Sequence, residues 1–156
     1  MAPFKAESIN FKQHSILKPQ RSPATRQTIE LPMNHKKRPE CLPLPVPVVL
    51  EQDQILTLRD KTKIRADVYR LTSSQKVPAI LMWDPLSRYE DFERFDPAES
   101  VPSGYATINT DSRDVGNSDD NLRFWGTSES QDGYNVVEKI AKLPWYKRKV
   151  GMTRES

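Results

Sequence analysis

At 156 residues, 36% hydrophobic and 29% charged, the chain is long enough for one soluble domain with a core. It has no run of about 18 apolar residues and its first residues lack an apolar stretch, so neither a spanning helix nor a secretory signal is expected. Its single cysteine, Cys41, excludes an intrachain disulfide and suits a reducing compartment, so a cytoplasmic location is expected.

The net charge of +3 conceals an asymmetry. Residues 1–38 carry eight Lys/Arg against Glu7 and Glu30, whereas the remainder holds 16 basic and 19 acidic residues. Residues 1–45 form a basic, proline-rich stretch with no sustained period of 3.6 or 2, as expected of a disordered or extended tail. Leu42-Pro43-Leu44-Pro45-Val46-Pro47 favours polyproline conformations. A solvated extension is the preferred reading. Mitochondrial targeting, nucleic-acid contact through His35-Lys36-Lys37-Arg38 and a proline-motif ligand compete with it. Pro3, Pro19 and Pro23 would interrupt a targeting helix, and the basic cluster lacks interleaved aromatics. No nucleic-acid or membrane partner is therefore expected.

Residues 46–156 read as an α/β domain. Val48-Val49-Leu50 and Gln54 to Leu58 run into Arg59-Asp60-Lys61-Thr62, after which Lys63 to Arg70 alternates polar with apolar, predicting a hairpin with one buried face. Pro78-Ala79-Ile80-Leu81-Met82-Trp83 is a short apolar run suited to a strand covered on both faces. A helix is predicted within 86–103, with Pro97 in its first turn after a capping Asp96 and Gly104 to end it. Tyr105 to Thr110 is a second core strand, ending at Asp111. Val136, Val137, Ile140 and Ala141 share one face of a helix that Asp132 would cap, and Lys149 to Thr153 forms a last strand. A hairpin followed by strand, helix, strand, helix and strand is the early half of a doubly wound α/β fold.

Residues 50–156 resemble the amino-terminal part of the cocaine esterase and X-prolyl dipeptidyl peptidase (CocE/NonD-type) group of α/β-hydrolases. The residues that carry the likeness are Leu58-Arg59-Asp60, Arg65-Ala66-Asp67-Val68-Tyr69-Arg70, the Pro78 to Trp83 strand and Gly104-Tyr105. Asp111-Ser112-Arg113 with Gly116 and Ser118 is similar to the group's Asp-x-Arg-Gly and Gly-x-Ser signature; Phe124-Trp125-Gly126, Asp132-Gly133-Tyr134 and Pro144-Trp145 complete the set. The resemblance implies the amino-terminal half of an α/β-hydrolase sheet: an opening antiparallel hairpin, then parallel strands with crossover helices, preceded by the disordered tail. It further implies a serine hydrolase of esters, amides or X-prolyl peptides working through an acyl-enzyme, with no cofactor.

On this resemblance Ser156 occupies the nucleophile position, on an elbow approached by the Lys149 to Thr153 strand. The group's acid and histidine follow the serine in chain order, whereas His14 and His35 precede it. The chain is thus expected to be truncated at the elbow and inactive alone, with a small ester or amide as substrate only if completed. The alternatives are a non-catalytic module that pairs through an exposed sheet edge, with a second copy or with the missing remainder, and a truncated product with no independent function.

Departures from the group's pattern point the same way. Arg154 stands where the elbow favours a small residue, and Asp84-Pro85-Leu86 stands where a Ser-Pro-Tyr hydroxyl would complete the oxyanion hole. Lys61 and Asp114 replace turn glycines, and Lys147-Arg148 replaces an Asn-Gly turn. Asp111, Asp119, Asp120 and Glu129 lack regular metal-ligand spacing, so a solvated acidic loop is expected and no metal. Asp111 and Arg113 are expected to fix a loop through a charge-assisted pair, and Trp83, Trp125 and Trp145 to pack.

Overall fold

The computed structural model describes residues 25–73, 75–84, 97–119 and 127–153. Strands β2 (Val48–Thr57) and β3 (Lys63–Leu71) form the predicted hairpin, closed by Leu58 N–H donating to the Thr62 carbonyl at 2.8 Å. Their register slips between Glu51 and Gln54, where Asp53 adopts a φ of 55° and its backbone N–H donates to Asp67 Oδ1 at 2.8 Å. This bulge turns a carboxylate inward, and Arg65 Nη1 meets it at 3.2 Å.

Strands β4 (Val77–Asp84), β5 (Ala106–Asp111) and β6 (Tyr146–Thr153) are parallel to one another, with β4 in the middle. With β1 (Gln27–Leu31) the sheet has the order β1-β2-β3-β5-β4-β6. It is a single open mixed sheet, as the α/β-hydrolase resemblance implies. Every residue of β5 is buried, as a strand covered on both faces requires.

Helix α2 (Thr127–Ile140) lays Val136 and Ile140 on one face of the sheet, against Leu81, Ile108, Val68 and Ile64. Trp83 and Trp145 are buried in the same core, as packing residues. A smaller cluster covers the amino ends of the strands on the other side. There α1 (Pro97–Ser100) contributes Ala98, and Val101 follows it, against Val48, Leu50 and Tyr69. The predicted helix within 86–103 is thus four residues long where described, and Gly104 at φ 85° follows its closing turn. Asp96 lies outside the described residues.

The sheet also takes up Gln27–Leu31, which the sequence reading assigns to the tail. Ile29 and Leu31 pack against the smaller cluster while Gln27, Thr28 and Glu30 face solvent. Two inward residues are too few for a period-2 pattern to stand out among prolines and lysines. Among the described residues, no helix is long and apolar enough to cross a membrane.

Candidate functional site at the carboxyl ends of the strands

In an open α/β sheet, chemistry gathers where the parallel strands end. β4 and β6 end side by side, with Met82 in register with Thr153, and β5 ends on the far side of β4, with Asp111 opposite Asp84. Ser156 is three residues past Thr153. Ser156, Arg154, Pro85, Leu86, Asp120 and the Phe124-Trp125-Gly126 stretch lie outside the described residues.

The loop after β5 is stitched back onto the sheet. Ser118 Oγ donates to the Asp111 carbonyl at 2.8 Å and accepts from the Arg65 backbone N–H at 2.9 Å, while Asp119 N–H donates to the Lys63 carbonyl at 3.0 Å. Asp111 is fully buried, and its Oδ2 accepts from the Asn117 backbone N–H at 3.2 Å. Gly116 sits at φ 50° against this carboxylate, and a Cβ there would overlap it. The glycine and serine of the Gly-x-Ser stretch therefore serve loop closure: one yields space to Asp111 and the other ties the loop to β3.

Arg113 is the centre of a buried ionic group. Its Nε and Nη2 engage both oxygens of Asp132, its Nη2 also meets Asp60 Oδ2 at 2.6 Å, and its Nη1 donates to Thr62 Oγ1 at 2.8 Å. Arg59 Nη1 adds a second cation to Asp132 Oδ1 at 2.7 Å. Arg113 and Asp132 side chains are only 7% and 2% exposed, so the forked pair is desolvated and directional. It locks the β2–β3 turn, the loop after β5 and α2 together at one corner.

Burial alone would push the Asp60 carboxyl up, but hydrogen bonds from Arg113 and Thr62 outweigh it and bring its pKa down from 3.8 to about 2.

This arrangement revises the expected role of Asp132. It lies in the second turn of α2 and is not the cap, because the helix begins at Thr127 with a polar turn that carries no apolar period. Arg113 engages Asp132, Asp60 and Thr62, and Asp111 accepts the Asn117 N–H. Lys61 and Asp114 adopt φ of 72° and 60°, so the two positions where the group's pattern calls for glycine do require left-handed backbone. Lys147 and Arg148 lie within strand β6, not in a turn; the turn falls earlier, at Lys142 to Trp145. The register between β4 and β6 nonetheless slips there, with Val77 opposite Tyr146 and Ala79 opposite Val150.

His35 lies in the loop between β1 and β2, at the opposite end of the sheet from the β4 and β6 termini, and His14 is outside the described residues. Among the described residues, no group of three His, Cys, Asp or Glu side chains converges on a metal-sized site.

The model of the X-Pro dipeptidyl-peptidase (S15) family matches residues 60–156, from the hairpin turn onward. The chain belongs to this family. Among solved structures, this S15-family chain is similar to a CocE/NonD family hydrolase from Staphylococcus aureus, with a TM-score of 0.70 at 17% identity, covering 90% of this chain and 29% of that one. An esterase from Pyrococcus furiosus matches with a TM-score of 0.55 at 18% identity, over 66% of this chain and 40% of that one. An α-amino acid ester hydrolase matches at 0.54 and 16% identity, over 67% and 20%. The S15-family chain therefore spans well under half the length of these hydrolases. Among curated protein sequences, none matches.

Proposed function

We infer that these 156 residues build the opening portion of a serine hydrolase of esters, amides or X-prolyl peptides, with Ser156 at the nucleophile position. The observation that carries this reading is the junction of β4 and β6. Their parallel carboxyl ends lie in register at Met82 and Thr153, so the chain leaves β4 and β6 at adjacent points of the sheet. In a hydrolase of this group the β6 side carries the nucleophile and the β4 side an oxyanion-donor hydroxyl, a position that Leu86 occupies here without one. The ionic corner at Arg113 supports it by fixing the neighbouring loops. A cytoplasmic location goes with the same reading, in keeping with the single cysteine.

The 156-residue polypeptide by itself is inactive on this reading. Its histidines, His14 and His35, precede Ser156, and His35 lies at the wrong end of the sheet. Losing a triad member removes nearly all of the rate enhancement. Two polypeptides test the proposal with a fluorophosphonate probe. The 156-residue chain should show no stoichiometric labelling at Ser156; labelling there would refute its inactivity. A coding sequence continuing past the Ser156 codon into a small residue, an Asp and a His should yield a longer polypeptide that labels at Ser156. A longer polypeptide of that kind that labels elsewhere would refute the nucleophile assignment.

A second reading, a module that pairs through its sheet edge, is favoured by β6. This strand has only β4 beside it among the described residues, and Met152 on it is 54% exposed. Such an edge invites a further strand. Size-exclusion chromatography decides: a monomer that unfolds cooperatively argues against required pairing.

A further inference from the structure

The topology separates charge between the two ends of the sheet. The β1–β2 loop, the β3–β4 loop and the segment joining α2 to β6 all lie at the amino ends of the parallel strands. They bring exposed Lys36, Lys37, Lys76 and Lys142 to one end, and Lys147 follows at the start of β6. Arg38 is there too, held by Glu40 at 3.5 Å; the other acids at this end among the described residues are Glu30, Glu99 and Glu138, so the cations remain in excess. Neighbouring strands lie about 4.8 Å apart, so six of them spread these cations over roughly 24 Å.

Apolar side chains share this end. Met33 is 57% exposed, Leu42 55% and Tyr105 40%. Met33 and Leu42 are carried by a loop that is itself fixed: Asn34 N–H donates to the Leu44 carbonyl at 2.7 Å, Leu44 N–H to the His35 carbonyl at 2.9 Å, and Leu44 is buried beneath. The loop therefore presents cations and apolar tips together at little ordering cost.

We propose that the amino-terminal end of the sheet is a peripheral docking surface for anionic lipid membranes. Lysine ammoniums are strongly hydrated point charges suited to diffuse attraction by anionic headgroups, and neighbouring aliphatic side chains add insertion into the interface. A nucleic acid fits less well. Its readers rely on guanidinium forks and aromatic stacking platforms, and here Arg38 is engaged by Glu40 and Tyr105 is the one exposed aromatic among the residues named. Docking through this end leaves the carboxyl ends of β4 and β6 facing solvent. The surface escapes a sequence reading because its lysines are scattered from position 36 to position 147, and because a peripheral surface needs no apolar span. It is independent of whether Ser156 is a nucleophile.

Flotation of the 156-residue chain with vesicles tests the proposal. Vesicles of phosphatidylcholine and phosphatidylserine should bind it at low salt and release it at high salt, and phosphatidylcholine alone should not bind. Replacing Lys36→Gln and Lys37→Gln together should weaken binding roughly 25-fold, at about fivefold per cation. Replacing Met33→Ser and Leu42→Ser should lower the salt concentration needed for release. Lys61→Gln with Lys63→Gln, at the opposite end, should change nothing. If the tail cations Lys5, Lys12, Lys18 and Arg21 carried the attraction, the Lys36/Lys37 variant would bind like the parent, and the proposal fails. It fails equally if the chain shifts short duplex DNA at a salt concentration where it ignores anionic vesicles. Circular dichroism confirms that each variant is folded before binding is compared.

Discussion

The sheet face under α2 and the corner where the strands end are both buried, but they are held by opposite means. Under the helix, Leu81, Ile108, Val136 and Ile140 are each no more than 1% exposed, and their attraction is non-directional. At the corner, Arg113, Asp132, Asp60, Arg59 and Thr62 are held by directed, charge-assisted hydrogen bonds. A hydrophobic face fixes that two layers meet; a forked ion pair fixes which atoms meet. That second kind of precision suits loops that flank a candidate reaction site.

The largest test of this contrast is to remove one partner at the corner. Arg113→Ala leaves Asp132 buried with the partly exposed Arg59 as its remaining cation among the described residues, and is expected to cost about 3–5 kcal/mol. Replacing both, as Arg113→Met with Asp132→Leu, should cost less than either single change, because the charges left behind, Arg59 and Asp60, are opposite in sign and partly exposed, so neither is a buried lone charge. Denaturant titration of the parent, Arg113→Met, Asp132→Leu and the double variant gives the cycle. Single losses below about 1 kcal/mol would reduce the corner to an ordinary surface ion pair and erase the contrast.

Legibility follows the same division. The hairpin, β4, β5 and the α2 face were readable because burial imposes a period on contiguous residues, as in Lys63 to Leu71 or Val136 to Ile140. The corner was not, because its members at 59, 60, 62, 113 and 132 meet only after the chain has folded. The nearest signal was that Arg59, Asp60, Arg113 and Asp132 all fall inside the stretches that carry the family resemblance. β1 is too short for its pattern to stand out, and Asp132 resembles a cap in the sequence because the first turn of α2 is wholly polar. Of the four left-handed non-glycine positions among the described residues, Lys61 and Asp114 stand where the resemblance calls for glycine, whereas nothing in the sequence marks Asn34 or Asp53.

Those two positions give the next test, on the backbone of the polar end. A non-glycine residue in left-handed backbone costs about 1–2 kcal/mol, and glycine returns part of that gain by loosening the unfolded chain. Lys61→Gly is therefore expected to stabilise by about 0.5–1 kcal/mol, raising the thermal midpoint by a few degrees. Asp114→Gly should gain less, because Asp tolerates this conformation better than Lys. A Lys61→Gly protein no more stable than the parent would show that the hairpin turn carries no strain.

The smallest effect separates the rim of the corner from its centre. Asp60 has its pKa lowered from 3.8 to about 2, so it stabilises the fold above its unfolded value and loses that contribution as pH falls through its folded value. Stability measured from about pH 5 to about pH 2 should therefore fall less steeply for Asp60→Asn than for the parent between about pH 4 and pH 2, with the two curves converging at the acid end. Because the Asp60 side chain is 43% exposed, solvent and salt screen it, and added salt should shrink the difference. The buried Arg113–Asp132 pair is screened far less, so the cost of Arg113→Ala should persist in the same salt. Equal acid slopes for parent and Asp60→Asn would mean that Asp60 is a bystander at the rim and that the corner rests on Asp132 alone.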